Sequence, residues 1–87
     1  MVYDETQILF LTACFLKDMD IPGPTVTHKN LNNMDAVKCQ QHCQAEPQCM
    51  SFVYIAPSMC AMKDKILDGN TRATEGFVSG PKFCSGG

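Results

Sequence analysis

Long apolar runs are missing from this 87-residue chain. The longest, Ile8–Leu16, falls well short of the roughly 20 residues a membrane-crossing helix needs, so no membrane span is expected. Runs of basic charge are missing too. The 7 Lys and Arg are scattered among 9 Asp and Glu, and the net charge is −2. That leaves no footprint for nucleic acid or another polyanion. No C-x-x-C pair occurs, so common zinc and iron–sulfur spacings and a thioredoxin-like redox site find no support. There are only 2 histidines, His28 and His42. Both read as surface or partly packed side chains rather than as metal ligands or general bases. No glycine-rich phosphate loop is present, and Gly69, Gly76 and Gly80 read as turn glycines. No Asn-x-Ser/Thr acceptor occurs, so N-glycosylation is not expected. The expectation from these gaps is a protein with no cofactor, no metal, no catalytic residues and no enzymatic activity.

What the chain does have is 6 cysteines: Cys14, Cys39, Cys43, Cys49, Cys60 and Cys84. A chain this short buries only about 60–65% of the surface its unfolded form exposes, and its apolar core is marginal. Disulfides compensate for that in oxidising compartments, and an even count in a small domain predicts three bridges and the secretory pathway. The chain has room for one domain, residues 1–87 with a core over 14–84. Asp4 and Glu5 stand where a secretory leader would be positive, and Ile8–Leu16 reads as a strand instead. A secreted module lacking a leader is expected to be excised from a multi-module protein.

Along the chain, residues 1–7 are polar and expected to fray. The Ile8–Leu16 strand precedes a breaker at Ile21-Pro22-Gly23-Pro24 and a short β-favouring piece at Thr25–Thr27. A helix is predicted over Met34–Ala45, with Asn33 as N-cap and Asp35 in its first turn. It stops before Pro47. Ala36, Cys39 and Cys43 make its buried stripe, and Lys38, Gln40, Gln41 and Gln44 its wetter sides. Cys49–Ile55 alternates, with Met50, Phe52 and Tyr54 on one face and Ser51, Val53 and Ile55 on the other. A turn at Ala56–Ser58 and a strand at Met59–Lys63 complete a hairpin. Asp68–Thr71 is turn-like. A last strand starts at Gly76–Val78 and is bent by Ser79-Gly80-Pro81. Phe52 and Tyr54 are assigned to the core, and Met50, Met59 and Met62 to filling its gaps. His42 sits on the helix flank and His28 in a loop.

The helix restricts the disulfide pairing. Cys39 and Cys43, one turn apart, have Cβ atoms about 5–6 Å apart, whereas a disulfide wants about 3.8 Å. Cys43–Cys49 is the easiest short bridge, because Pro47 turns the chain back between them. Geometry alone leaves the other two open.

A helix bearing Cys39-x3-Cys43, then Cys49-x2-Phe52-x-Tyr54, then Cys60-x2-Lys63, with the ending Ser79-Gly80-Pro81-Lys82-Phe83-Cys84, resembles the PAN/apple domain. The ending looks most like the tandem apple repeats of apicomplexan microneme proteins. The resemblance covers about residues 14–84. It implies a small disulfide-rich α+β fold, with one helix cradled by a curved antiparallel sheet of about five strands. It also implies the nested pairs Cys14–Cys84, Cys39–Cys60 and Cys43–Cys49. The functional expectation is a non-enzymatic extracellular adhesion module for protein partners, acting in host-cell attachment beside neighbouring apple modules. The localisation expected is secretory or extracellular, with the microneme organelle of an apicomplexan parasite as its specific form. A lectin-like module for a host-surface glycan is the second reading. A small protease inhibitor with its reactive loop in 64–75 is the third. Lys63, Asp64, Lys65 and Lys82 are the candidate binding surface for a carbohydrate or an acidic partner.

Overall fold

The computed structural model describes residues 14–30, 32–67 and 71–84. Most of the expected first strand (residues 8–13), the polar start (1–7) and most of the 68–71 turn lie outside these residues. Among the described residues, five strands and one helix follow in chain order. They are β1 (Leu16–Asp20), β2 (Thr25–Asn30), α1 (Ala36–Ala45), β3 (Ser51–Ile55), β4 (Met59–Lys63) and β5 (Arg72–Pro81). The strands form one antiparallel sheet in the order β1-β5-β3-β4-β2. This is the α+β class read from the sequence.

β3 is central because it is the most apolar alternating segment, buried over Ser51, Phe52 and Val53. Its hairpin partner β4 runs in perfect register from Ser51↔Lys63 to Ile55↔Met59, and β5 flanks it from Ser51↔Pro81 to Ile55↔Phe77. The outer strands are less regular. Thr25 pairs with Lys63 but Thr27 with Met62, so Val26 forms a bulge. In β1, Asp18 stands opposite the whole Thr74–Phe77 stretch of β5. Asp18 has φ 56° and Gly76 φ 86°, and the Gly76 amide donates to Asp18 Oδ1 at 3.1 Å. β5 therefore begins before Gly76, at Arg72, and Ser79-Gly80-Pro81 continues the strand rather than bending it away.

The helix starts later than expected. Asp35, with extended backbone (φ −145°), is the N-cap, and its carboxylate accepts from the Lys38 amide at 2.8 Å. Asn33 sits in the left-handed region (φ 64°), which Asn tolerates better than most residues, and its carbonyl accepts from Lys38 Nζ at 2.8 Å. Glu46 leaves the helix before Pro47, and its amide donates to the Cys43 carbonyl at 3.1 Å. His28, expected in a loop, lies in β2 because that strand runs on to Asn30.

Two apolar clusters flank the sheet. Under the helix, Met34, Cys39, Cys43, Cys49, Phe52, Cys60 and Met62 pack with Phe15, Val26, Ala36 and Tyr54. Beyond the sheet, Ile21, Val53 and Ala61 pack with Ile55, Leu67 and Phe77. The disulfides are Cys39–Cys60, Cys43–Cys49 and Cys14–Cys84, with Cα–Cα separations of 5.3, 5.3 and 5.8 Å. The first ties α1 to β4, the second folds the chain back after α1, and the third joins the residues flanking β1 and β5.

Gly80 lies opposite Phe52 in the ladder. A Cβ there would come within 2.6 Å of Phe52 Cε1 and 2.9 Å of Phe15 Cδ1. Phe15 and Phe52 meet edge to face, with centroids 5.1 Å apart. A methyl at position 80 must push this pair apart inside a closed core. Gly80→Ala is therefore expected to destabilise the domain by about 1–3 kcal/mol in urea unfolding. A loss within experimental error would show that the aromatic pair does not depend on the close approach of β5.

Candidate functional site

The four residues singled out from sequence are divided by the structure. Lys63 faces the sheet side away from the helix and is only 8% exposed. Its ammonium donates to the Gly23 carbonyl and to Thr25 Oγ1, both at 2.9 Å. Lys63 is thus removed from the candidate binding surface: it pins the turn between β1 and β2 onto β4. Lys82 is half-buried, and its ammonium donates to the Glu46 carbonyl at 3.1 Å. A cation there adds a second donor to a carbonyl that also accepts from the Cys49 amide at 3.0 Å, and it complements the negative end of the helix dipole. Lys82 acts as a helix cap. Only Asp64 and Lys65 remain exposed.

The Ser79-Gly80-Pro81-Lys82 segment has a structural task at each position. Ser79 Oγ donates to the Met19 carbonyl across to β1. Gly80 admits the aromatic pair. The Pro81 carbonyl accepts from Gln40 Nε2 at 3.1 Å, and the Lys82 carbonyl from Gln44 Nε2 at 3.0 Å. Gln40, expected on a wet side of the helix, is 1% exposed. It is buried because β5 runs beside the helix there and offers it an acceptor.

What the sequence left unmarked is an apolar end of the sheet. The exposed large hydrophobics among the described residues are Met50 (40%), Ile66 (61%) and Phe83 (63%). Met50 lies between neighbours: its amide donates to the Lys63 carbonyl at 2.7 Å and its carbonyl accepts from the Lys82 amide at 3.2 Å. Met50, the chain after Lys63 and the chain after Lys82 therefore emerge together. Ser51 Oγ donates to the Lys65 carbonyl at 2.5 Å, which holds the start of the Asp64–Ile66 segment against the sheet. Alternation placed Met50 with Phe52 as core, but Met50 precedes the strand and the helix has already ended above it. Sequence signals for Phe83 and Ile66 were simply their size next to Lys82 and Lys65.

Other chemistry is sparse. Every cysteine is bonded, and no group of metal-binding side chains gathers among the described residues. The Arg72–Asp20 ion pair, at 3.1 Å, joins the paired ends of β5 and β1. The proposed inhibitor loop is shortened, because β5 already begins at Arg72. No helix among the described residues is long and apolar enough to cross a membrane.

A PAN domain family profile matches residues 19–66, more than half of the sequence. The chain belongs to the PAN domain family. Among solved structures, the solution structure of a PAN module from Eimeria tenella aligns over 82% of this chain and 80% of its own, with TM-score 0.57 and 24% identity. That likeness is one of fold. A search of curated proteins finds no match. PAN domains are in general extracellular interaction modules for proteins or carbohydrates, and the disulfide-rich scaffold suits secretion.

The two lysines with buried tasks are expected to behave differently from the exposed one. Lys63→Ala leaves a carbonyl and a hydroxyl without their donor and is expected to cost about 1–3 kcal/mol. Lys82→Ala is expected to cost about 0.5–1 kcal/mol as a lost helix-end contact. Lys65→Ala should stay within about 0.5 kcal/mol of the parent. Thermal unfolding of the three variants measures this order, and equal stability for Lys63→Ala would contradict its pinning role.

Proposed function

We propose that this PAN module is a non-enzymatic adhesion module that binds protein partners through the sheet end carrying Met50, Ile66 and Phe83, with Asp64 and Lys65 alongside. The observation that carries this reading is that three exposed large hydrophobics lie on Met50 and on the two segments leaving the sheet beside it, after Lys63 and after Lys82. Exposed apolar side chains gathered at one place with charged neighbours are what a protein partner covers. The ending Ser79-Gly80-Pro81-Lys82-Phe83-Cys84, which resembles that of apicomplexan microneme apple repeats, favours a setting in host-cell attachment by such a parasite, with storage in the microneme organelle. One domain presents about 600–800 Å² of face, at the low end for a specific partner. Neighbouring apple modules in a parent chain would raise the effective concentration and so the avidity.

A glycan partner is favoured by one feature, the exposed ring of Phe83 beside polar main chain at Lys82 and Cys84, on which a sugar face can stack. The experiment is host-cell binding by the multimerised 87-residue chain, run beside a glycan array. Met50→Ser, Ile66→Ser and Phe83→Ser together are expected to lower cell binding at least about tenfold, which corresponds to ~1.4 kcal/mol, with the unfolding temperature unchanged. Array hits lost with Phe83→Ser alone would establish the carbohydrate reading. Binding indifferent to all three substitutions would place the face elsewhere on the module.

A further inference from the structure

The three disulfides differ in their access to solvent. Cys39, Cys60, Cys43 and Cys49 are each 0% exposed, inside the helix-side core. Cys14 and Cys84 are half-buried at the margin of the domain. Their bridge joins the chain just before β1, which among the described residues is an edge strand paired with β5, to the chain just after β5. Phe15 follows Cys14 and packs on Phe52, while Gln40 Nε2 reaches Cys84 Sγ at 3.5 Å and holds the Pro81 carbonyl as well. The Phe15–Phe52 contact, the Gln40–Pro81 hydrogen bond and the two core bridges are none of them made through the Cys14–Cys84 bond itself.

Thiol–disulfide exchange needs a thiolate to reach a sulfur along the S–S axis. A fully buried bridge is reached only when its surroundings open, and its rate is reduced by the improbability of that opening. A marginal bridge reacts from the folded state. We propose that Cys14–Cys84 is a redox-controlled clasp on the β1–β5 edge, opened selectively by an external dithiol while Cys39–Cys60 and Cys43–Cys49 hold the module folded. One thiolate of the dithiol attacks a sulfur of the clasp and forms a mixed disulfide, releasing the other cysteine as a thiolate that takes up a proton. The second thiol of the reagent, as thiolate, then displaces the first cysteine. The reagent leaves as its cyclic disulfide, oxidised by two electrons, and Cys14 and Cys84 are left as two thiols. The opened form frees the residues at Phe83 from their covalent tie to β1, beside the sheet end assigned above to binding. The clasp itself does not depend on that assignment.

The test is reduction of the folded 87-residue chain with dithiothreitol, quenched by alkylation at intervals and mapped by mass spectrometry. The expected result is a population alkylated only at Cys14 and Cys84, appearing at least about tenfold faster than label at the other four, where a factor of ten equals ~1.4 kcal/mol of opening. Hydrogen exchange on that population should show faster exchange in β1 and at the end of β5, with α1, β3 and β4 still protected. A Cys14→Ser/Cys84→Ser double variant should keep the same protection in α1, β3 and β4. Simultaneous labelling of all six cysteines, or first label at Cys43 and Cys49, would overturn the selectivity. Loss of protection throughout the clasp-opened chain, or in the double variant, would overturn the claim that the core bridges suffice.

Discussion

The covalent tie between the helix and the central hairpin is the constraint on which the rest of this domain depends. A helix of 10 residues is too short to be stable alone, since nucleation is costly and few hydrogen bonds follow it. Here Cys39 and Cys43 leave the same face of α1, one turn apart. The first bonds Cys60 in β4, and the second bonds Cys49 just before β3. The helix axis is thereby fixed across both strands of the hairpin. Phe52 and Met62, which are paired in the ladder, fill the space beneath it. With so little apolar volume available, the bridges do by covalent constraint what a larger domain does by area.

Once the helix is fixed, the ending of the chain follows. β5 must run close under the C-terminal half of α1, and its side chains there are those that allow this. Gly80 is absent bulk, Ser79 reaches across to β1, and the carbonyls of Pro81 and Lys82 meet Gln40 and Gln44. Lys82 turns back onto the Glu46 carbonyl and closes the helix end. The segment that carries the family resemblance in sequence is thus consumed by the scaffold, its candidate binding residue Lys82 included. The proposed binding face is drawn instead from exposed side chains outside this segment's scaffold contacts, those of Met50, Asp64, Lys65, Ile66 and Phe83.

Much of the fold was legible because its strongest signals are local. The alternation through Ser51–Ile55, the proline in the turn and the equal strand beyond it define β3 and β4 without reference to anything distant. The helix stop at Pro47 is local in the same way. What was misread depends on partners far along the chain. Gln40 looks like a solvated residue until Pro81 is brought beside it, and Lys63 like a surface cation until Gly23 and Thr25 are. The start of β5 at Arg72 was hidden because Gly76 reads as a strand terminator, whereas it is an irregularity that Asp18 of β1 accommodates. The helix start was displaced because Asn33 and Asp35 are both good caps, and Asn33 alone tolerates the left-handed turn that precedes the helix.

The polar residues buried on the side of the sheet away from the helix bear on how this module would hold a partner. Ser51 and Lys63 face each other in the ladder, and each spends its side chain on the backbone of a connecting segment: Ser51 on Lys65, Lys63 on Gly23. Gly23 in turn lies against Lys65, whose Nζ would be 3.5 Å from a Cβ at that position. Two connections that leave the sheet at the same end are therefore bound to it and packed on each other. No buried polar side-chain atom among the described residues lacks a hydrogen-bond partner. A segment fixed in this way loses little conformational freedom when a partner covers it, and ordering costs are a main reason small interfaces are weak. The anchoring of Asp64–Ile66 from below thus favours binding at this end of the sheet over the edge of β2. That edge is bulged at Val26 and carries exposed His28 and Lys29, features by which sheet edges resist pairing with other chains.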